Sequence, residues 1–408
     1  MSKKLVGACI FGQSGGPTSV INASAYGVIR TALDAPEITK VYWAGYGIVG
    51  VLDDVLYDMD KEEPEELELL LNTPSSALGS CRYKLKDEKD LARILEIFKK
   101  YDVRYFFYNG GNDSMDTCKK ISAYMDEAGY ECRILGVPKT IDNDLVGTDH
   151  CPGYGSAAKY VATTVAEVHK DARVYNTGTI TIIEIMGRHA GWLTAAAALA
   201  GLAGCAPDYI HLPEIPFDKE RFLSDVEATY KEKHNCVVAV SEGITYADGS
   251  FVAEAEISAT DGFGHHQLGG LAAKLAAEVK KRTGAKVRPI EFSLMQRSAA
   301  HLASQTDIDE AFLAGKAAVE KAIAGETGKM VGFTRETENG KYKCGISLEP
   351  LTVTANAEKP IPREWINEAG TNVTQDFIDY ALPLIHGENS RKVENGLPRF
   401  AKLKRIKA

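Results

Sequence analysis

Uninterrupted apolar runs alternate along the chain with stretches whose apolar positions recur every three to four residues. Leu5 to Phe11 is such a run and predicts a buried strand; Gly12 to Pro17 follows as a glycine-rich loop, and Ser19 to Leu33 as a helix. Val41 to Ala44 predicts a short strand. Leu91, Ile94, Leu95 and Phe98 fall at i, i+3, i+4 and i+7, which predicts a helix over Asp87 to Lys100. Val103 to Tyr108 predicts a strand, Gly110-Gly111 a turn with a helix from about Met115, and Arg133 to Val137 the next strand. The alternation then repeats. Helices are expected over Ser156 to His169, Trp192 to Leu202, Lys219 to Glu232, Leu268 to Arg282 and Asp307 to Ile323. Strands are expected at Thr179 to Ile185, Tyr209 to Leu212, Val237 to Val240 and Arg288 to Phe292. Continuous apolar strands separated by helices indicate parallel sheets covered on both faces. Two sheets fit better than one, with a seam near Asp149 to Gly155 and a return crossing near Ala285. Residues 1–150 with about 285–325 are expected to form one domain, and 151–284 with about 326–408 the other. Arg335 to Cys344 is polar and turn-rich, and the acidic run Asp58 to Glu68 is expected to be a solvated surface segment.

A chain of 408 residues can bury a large core without disulfides or structural metals. Lys plus Arg is 47 and Asp plus Glu 56, so the net charge is −9. That balance gives no global pull toward nucleic acid or an anionic membrane. A phosphate ligand would have to be met by a local cluster of cations and backbone N–H donors. The eight cysteines are scattered with no C-x-x-C pair, which argues against a zinc site or disulfide framework and for reduced cysteines in a cytoplasmic enzyme. Met1 to Lys4 leads straight into the first apolar run, without a secretory pattern. The small-apolar run Ala195 to Ala206 is too short to span a bilayer.

Three strand-to-helix turns are glycine-rich: Gly12 to Gly16, Gly110 to Ser114 and Gly187 to Gly191. Glycine lets backbone N–H groups approach a phosphate, and a helix N-terminus favours its charge. In open α/β sheets ligands bind beyond the carboxyl ends of strands. Pro138-Lys139-Thr140-Ile141-Asp142-Asn143-Asp144 directly follows a predicted strand. A loop carboxylate there can take a proton from a hydroxyl, and Asp can hold Mg²⁺ together with substrate phosphates. The bland alternative is an Asx-rich turn. Arg188, Arg288, Arg297 and Glu242 follow or belong to strands of the second half. Together they could form a sugar-phosphate site, with arginines on the phosphate and Glu242 on hydroxyls.

Gly110-Gly111-Asn112-Asp113-Ser114, Pro138 to Asp144, Met186-Gly187-Arg188 and Gln296-Arg297, in this order over nearly the whole chain, resemble the phosphofructokinase family. The resemblance implies two Rossmann-like three-layer α/β/α domains with mainly parallel sheets and an inter-domain active-site cleft. The first domain would bind the phosphoryl donor and the second the sugar phosphate. It implies phosphoryl transfer to the C1 hydroxyl of fructose 6-phosphate, with Asp142 as general base. Asp144 and Asn112 would lie near Mg²⁺. Thr140, Met186, Gly187, Arg188, Glu242, Arg288 and Arg297 would hold the sugar phosphate. Gly15 would donate its N–H to the transferred phosphate, and Arg82, Gly111, Asp113, Ser114 and Lys139 would serve the donor.

ATP-using members of the family carry glycine at the places of Asp113 and Lys139, and pyrophosphate-using members carry Asp and Lys. A carboxylate at Asp113 would repel a nucleotide α-phosphate, and Lys139 would compensate a pyrophosphate. The stretch from Pro362-Arg363-Glu364-Trp365-Ile366 to Pro383-Leu384-Ile385 is also similar to the pyrophosphate type. Pyrophosphate and fructose 6-phosphate are therefore the expected substrates of a homo-oligomer, dimer or tetramer, with no nucleic-acid or membrane partner. Three positions depart from the family. Asn112 replaces a commoner Asp. Leu294 stands in place of a His or Tyr that helps bind the sugar phosphate. Thr179 stands where bacterial ATP-dependent members have an arginine that reaches the neighbouring subunit's substrate. The alternatives are the same reaction with ATP, a broader acceptor range such as sedoheptulose 7-phosphate, and a non-catalytic subunit that binds sugar phosphates.

Overall fold

The computed structural model describes residues 5–253 and 268–408; Met1 to Lys4, at the head of the first apolar run, lies outside them. Eleven strands build two sheets: β1 (Gly7–Gln13), β2 (Ile38–Ala44), β3 (Leu56–Asp58), β4 (Val103–Gly110), β5 (Arg133–Pro138), β6 (Thr179–Ile185), β7 (Tyr209–His211), β8 (Asn235–Ser241), β9 (Val287–Glu291), β10 (Lys329–Glu338) and β11 (Lys341–Pro350). The first sheet has the order β11-β10-β5-β4-β1-β2-β3 and the second β7-β8-β6-β9. Pairing is parallel throughout the second sheet and from β10 to β2 in the first; only the outer β10–β11 and β2–β3 pairs are antiparallel.

The strand period of two explains why both faces are covered. Cys9 and Phe11 of β1 and Tyr105 and Phe107 of β4 pack with the helices Ile21–Asp34 and Gln305–Ile323. Ile10, Phe106 and Tyr108 point the other way, toward the helices Glu88–Lys100 and Asn112–Glu127. In the second sheet Ile183 and Ile185 face the helix Tyr154–Asp171, while Ile180 and Ile182 face the helices Lys219–Lys233 and Leu271–Thr283. The helices Ile21–Asp34 and Gln305–Ile323 cross closely. A Cβ on Gly27 would stand 2.2 Å from the Phe312 carbonyl oxygen, and one on Gly315 2.1 Å from that of Ser24.

Four expectations are corrected. β9, expected with the first domain, pairs with β6 in the second sheet after the helix Leu271–Thr283. Residues 329–350, expected with the second domain, form a hairpin that extends the first sheet through β5. Its turn is Asn339-Gly340, both at positive φ (55° and 75°), the geometry that matches hairpin twist. Trp192 to Leu202 is one short helix, Trp192–Ala195, continued as a 3-10 helix over Ala196–Ala203. The acidic run is not simply solvated. Glu62 accepts the backbone N–H of Lys404 and Arg405, Glu66 that of Lys402, and Asp58 N–H donates to the Ile406 carbonyl. The basic C-terminal tail is thereby held along β3. All eight cysteines are free thiols. Among the described residues no helix is long and apolar enough to cross a membrane.

Candidate active site

The carboxyl ends of β1, β4 and β5 from one sheet, and of β6 and β8 from the other, open onto a shared cleft of about 550 Å³. Of the sequence-predicted residues, Gly15, Arg82, Gly111, Asn112, Asp113, Ser114, Lys139, Thr140, Asp142, Asp144, Met186, Arg188, Glu242 and Arg297 all line it.

On the first-sheet side, β1 ends in Gly15-Gly16. Gly15 has φ +77°, and a Cβ there would stand 3.1 Å from Lys139 Nζ; a Cβ on Gly16 would stand 2.9 Å from an Arg297 guanidinium nitrogen. The glycines thus let three cations, Lys139, Arg297 and Arg82, gather against backbone. β4 ends at Gly110, and the next helix starts at Asn112, three residues before the expected Met115. Its polar first turn brings Asn112, Asp113 and Ser114 to the cleft at a helix N-terminus. Asp113 pairs with Lys84 at 3.0 Å. After β5, Asp142 N–H donates to Thr140 Oγ1 (3.0 Å), and Asn143 between the two aspartates adopts φ 57°.

On the other side, β6 delivers Met186 and Arg188 and β8 delivers Glu242. Gln296, almost fully buried, accepts the Met186 N–H at 3.2 Å and so fixes the turn that carries Arg297 beside the end of β6.

Three residues sit in this chain differently from what was expected of them. Gly15 N–H already donates to the Cys81 carbonyl at 2.9 Å, so in this conformation it does not point to a phosphate. Gly187 is not among the residues lining the cleft; its backbone N–H favours the charged form of the Glu242 carboxylate. Arg288 is paired with Asp171 at 3.0 Å and lies in a separate small cavity. It is the second residue of β9, at the strand's amino end, whereas the cleft lies beyond carboxyl ends. Leu294 is more than half exposed and is not among the lining residues. Conversely, Lys84, His189, Asn356 and Glu358 line the cleft and were not singled out from sequence. Lys84 and Glu358 sit outside the glycine turns, in segments whose pattern carries no signal of a site. Glu358 arrives because Leu145 and Glu358 form an antiparallel bridge.

Burial dominates the electrostatics. It pushes Asp142 above the usual carboxylate range, against the pull of Lys139, Arg188 and Arg297. It raises Asp144 to about 7, helped by Asp142 and Glu358, and Glu242 to about 7, helped by Asp142. It lowers Lys139 to about 8, only partly offset by Asp142. Carboxylates and cations held this far from their ordinary values in a cleft mark a candidate chemical site.

Asn112 Oδ1 is buried with no hydrogen-bond partner, and Asn112 Nδ2 donates weakly to Asp144 Oδ2 at 3.4 Å. An orphaned amide oxygen beside a carboxylate is an all-oxygen donor pair of the kind Mg²⁺ takes alongside substrate phosphates. Asn112 and Asp144 therefore fit the metal. Among the described residues the other cluster with ligand geometry, His150, Glu310 and Cys344, lies away from the cleft. There the His150 nitrogens already bond Asp149 (2.8 Å) and Glu310 (2.7 Å).

Two outcomes follow from this arrangement. Arg297→Ala is expected to raise the KM for fructose 6-phosphate at least about tenfold, the size of one charge-assisted hydrogen bond. Lys at the same position should restore only part of the loss, since it lacks the planar fork. A change confined to the donor's KM would place Arg297 in the donor half instead. The second concerns pH. If Lys139 meets the donor as a cation, kcat/KM for the donor should fall as pH rises through about 8. On the acid side it should fall as Asp142 is protonated, above the usual carboxylate range. Lys139→Arg should move the alkaline limb upward; the donor's own ionisation is common to both proteins, so their difference reports Lys139. An unmoved limb would remove Lys139 from that role.

A phosphofructokinase family model matches residues 9–322. A pyrophosphate--fructose 6-phosphate 1-phosphotransferase of Xanthomonas campestris pv. campestris is 47% identical over 408 residues, covering 98% of this chain and 97% of the relative. One of Halomonas elongata is 45% identical over 401 residues, covering 96% and 95%. The crystal structure of a pyrophosphate-dependent phosphofructokinase from Marinobacter aquaeolei superposes with a TM-score of 0.89 at 42% identity, covering 99% of this chain and 97% of that one. The motif order, the cleft they build and these near-full-length matches agree: the chain belongs to the phosphofructokinase family.

Proposed function

We propose that this chain transfers a phosphoryl group from pyrophosphate to the C1 hydroxyl of fructose 6-phosphate, giving fructose 1,6-bisphosphate and phosphate. Asp142 takes the C1 hydroxyl proton as the oxygen forms its bond to the nearer phosphorus. The bridging P–O bond breaks, and its electron pair leaves with phosphate. Arg188 and Arg297 orient the sugar phosphate, and Glu242 meets its hydroxyls. Arg82 and Lys139 flank the transferring group, where developing charge needs preorganised cations more than covalent chemistry. Asn112 and Asp144 would hold Mg²⁺, which when bound neutralises charge on the donor phosphates. The donor and the product ester are similar in energy, so the reaction runs in both directions.

The observation that carries the choice of donor is the pair at one end of the cleft. Lys139 is only 4% exposed, and Asp113 stands at the helix N-terminus with Lys84. The buried cation suits a compact donor with no nucleoside to anchor it, and the carboxylate disfavours a nucleotide α-phosphate. The near-full-length relatives carry the same activity in their names. Against a non-catalytic subunit stand Asp142, Asp144, Arg188 and Arg297 in one cleft. The test is a coupled assay with each donor at equal concentration: rapid turnover with pyrophosphate and little with ATP supports the reading, and the reverse overturns it. Leu294, out of the cleft, leaves the acceptor end without an imidazole or phenol from that position. This favours testing sedoheptulose 7-phosphate as a second acceptor in the same assay.

A further inference from the structure

Asn143 lies between the proposed base and the proposed metal ligand, fully buried and at positive φ. Its side chain makes two bonds. Oδ1 accepts the Cys151 N–H at 2.9 Å, and Nδ2 donates to the hydroxyl of Tyr380 at 2.8 Å. Tyr380 belongs to a helix near the C-terminus, Gln375–Ala381, more than two hundred residues away in sequence. The Tyr380 hydroxyl in turn donates to the Asp149 carbonyl at 2.7 Å. Its ring packs 5.2 Å from that of Trp192, which follows the Gly187–Gly191 turn of the sugar-phosphate half, and the Arg335 guanidinium sits 4.6 Å over it. The Asp149 carbonyl has a second donor in Lys359 Nζ at 2.7 Å. Among the described residues Asn143 Nδ2 has no other hydrogen-bond partner, so loss of the hydroxyl falls chiefly on Asn143.

We propose that Tyr380 is a positioning residue for phosphoryl transfer: through its hydroxyl it fixes the Asn143 side chain, and so the directions in which Asp142 and Asp144 enter the cleft. The left-handed turn at Asn143 sends its flanking carboxylates away from its own side chain. Anchoring that side chain at two points sets both at once. A loop tethered only at Cys151 can rotate about the remaining bond, and a misplacement of about 1 Å can cost about 10²-fold in rate. The Tyr380 hydroxyl bonds Asn143 and the Asp149 carbonyl, neither of which lines the cleft, so ground-state binding by Arg188 and Arg297 should stay intact.

The inference rests on the reading of Asp142 as base, and the experiment separates the two. Tyr380→Phe keeps the ring and removes the hydroxyl. Asn143→Gly keeps the positive-φ turn and removes the tether. Each should lower kcat at least about tenfold, with KM for pyrophosphate and fructose 6-phosphate within about threefold of wild type. The combined variant should lose no more than the worse single, because both remove one linkage. Tyr342→Phe is the control. Its hydroxyl donates to Glu310 at 2.6 Å, away from Asn143, and its loss should leave kcat unchanged. The inference is overturned if Tyr380→Phe keeps kcat within twofold, if the single losses multiply, or if KM carries the whole loss. Should Tyr380→Phe not fold, Asn143→Gly alone decides, and wild-type kcat there also overturns it. Asp142→Ser, measured alongside, isolates the underlying reading: if it stays active, that reading fails; if it is inactive while Tyr380→Phe is unimpaired, only this inference fails.

Discussion

Asp142→Ser is expected to lower kcat by about 10²–10⁴-fold, the usual size of a general-base contribution, while KM for fructose 6-phosphate stays near wild type or falls. The loop's shape does not depend on the carboxylate. Its backbone N–H bonds Thr140, and its neighbour Asn143 is anchored independently. The arginines that meet the sugar phosphate remain, and one negative charge leaves their surroundings. The fold should not suffer either. Burial raises Asp142 above its ordinary value, so its folded-state pKa exceeds its unfolded one. Such a group costs stability increasingly as pH rises from the unfolded value through the folded one. Removing it should therefore raise the melting temperature at neutral pH and lower Asp144, which Asp142 pushes up. Steady-state kinetics, a melting curve and calorimetric binding of fructose 6-phosphate check the three statements together. Near wild-type kcat would take Asp142 out of the mechanism.

The parts of this fold legible in the sequence are those where one local rule suffices. Val103 to Tyr108 and Thr179 to Ile185 are apolar at successive positions because both faces of their strands meet helices. Leu91, Ile94, Leu95 and Phe98 announce a helix by period alone. Where a second influence enters, the reading slips. The helix after β4 begins with Asn112-Asp113-Ser114, which local chemistry assigns to a turn, yet this polar first turn is what the cleft requires. Arg335 to Cys344 is polar because its strands form the edge of a sheet, and its Asn339-Gly340 signal went unread. Asp58 to Glu68 is acidic because a basic tail three hundred residues later needs it, a pairing with no local trace.

The site divides the same way. Residues on glycine turns at strand ends were found, because the topology of open α/β sheets directs them to one place. Arg288 lies outside this chain's cleft, at the amino end of β9, because a strand's sequence does not say which of its ends faces the ligand. Lys84, Asn356 and Glu358 were missed because they reach the cleft through tertiary pairing.

Donor choice brings the largest expected reversal. Asp113→Gly removes the carboxylate that would oppose a nucleotide α-phosphate and releases Lys84 from its 3.0 Å ion pair. Alone it should leave pyrophosphate use substantial, because the cations Lys139 and Arg82 still line the cleft. Lys139→Gly removes a buried cation whose charge is already costly to hold, as its lowering to about 8 records. A site keeps such a group only where an anion arrives to meet it. Loss of one preorganised charge on a transferring group is worth about 10²–10³-fold, so kcat/KM for pyrophosphate should fall by about that factor. Asp113 and Lys139 line one cleft and are proposed to meet the same phosphates, so their effects need not add. The Asp113→Gly/Lys139→Gly variant should lose most pyrophosphate activity and gain detectable ATP activity. It should not reach full efficiency with ATP, because the rest of the cleft lining, Lys84, Asn356 and Glu358 included, is unchanged. The measurement is kcat/KM for both donors in wild type, both single variants and the combination. A wild type that prefers ATP, or a Lys139→Gly variant with unchanged pyrophosphate kinetics, would refute the assignment of Asp113 and Lys139 as the pair that selects the donor.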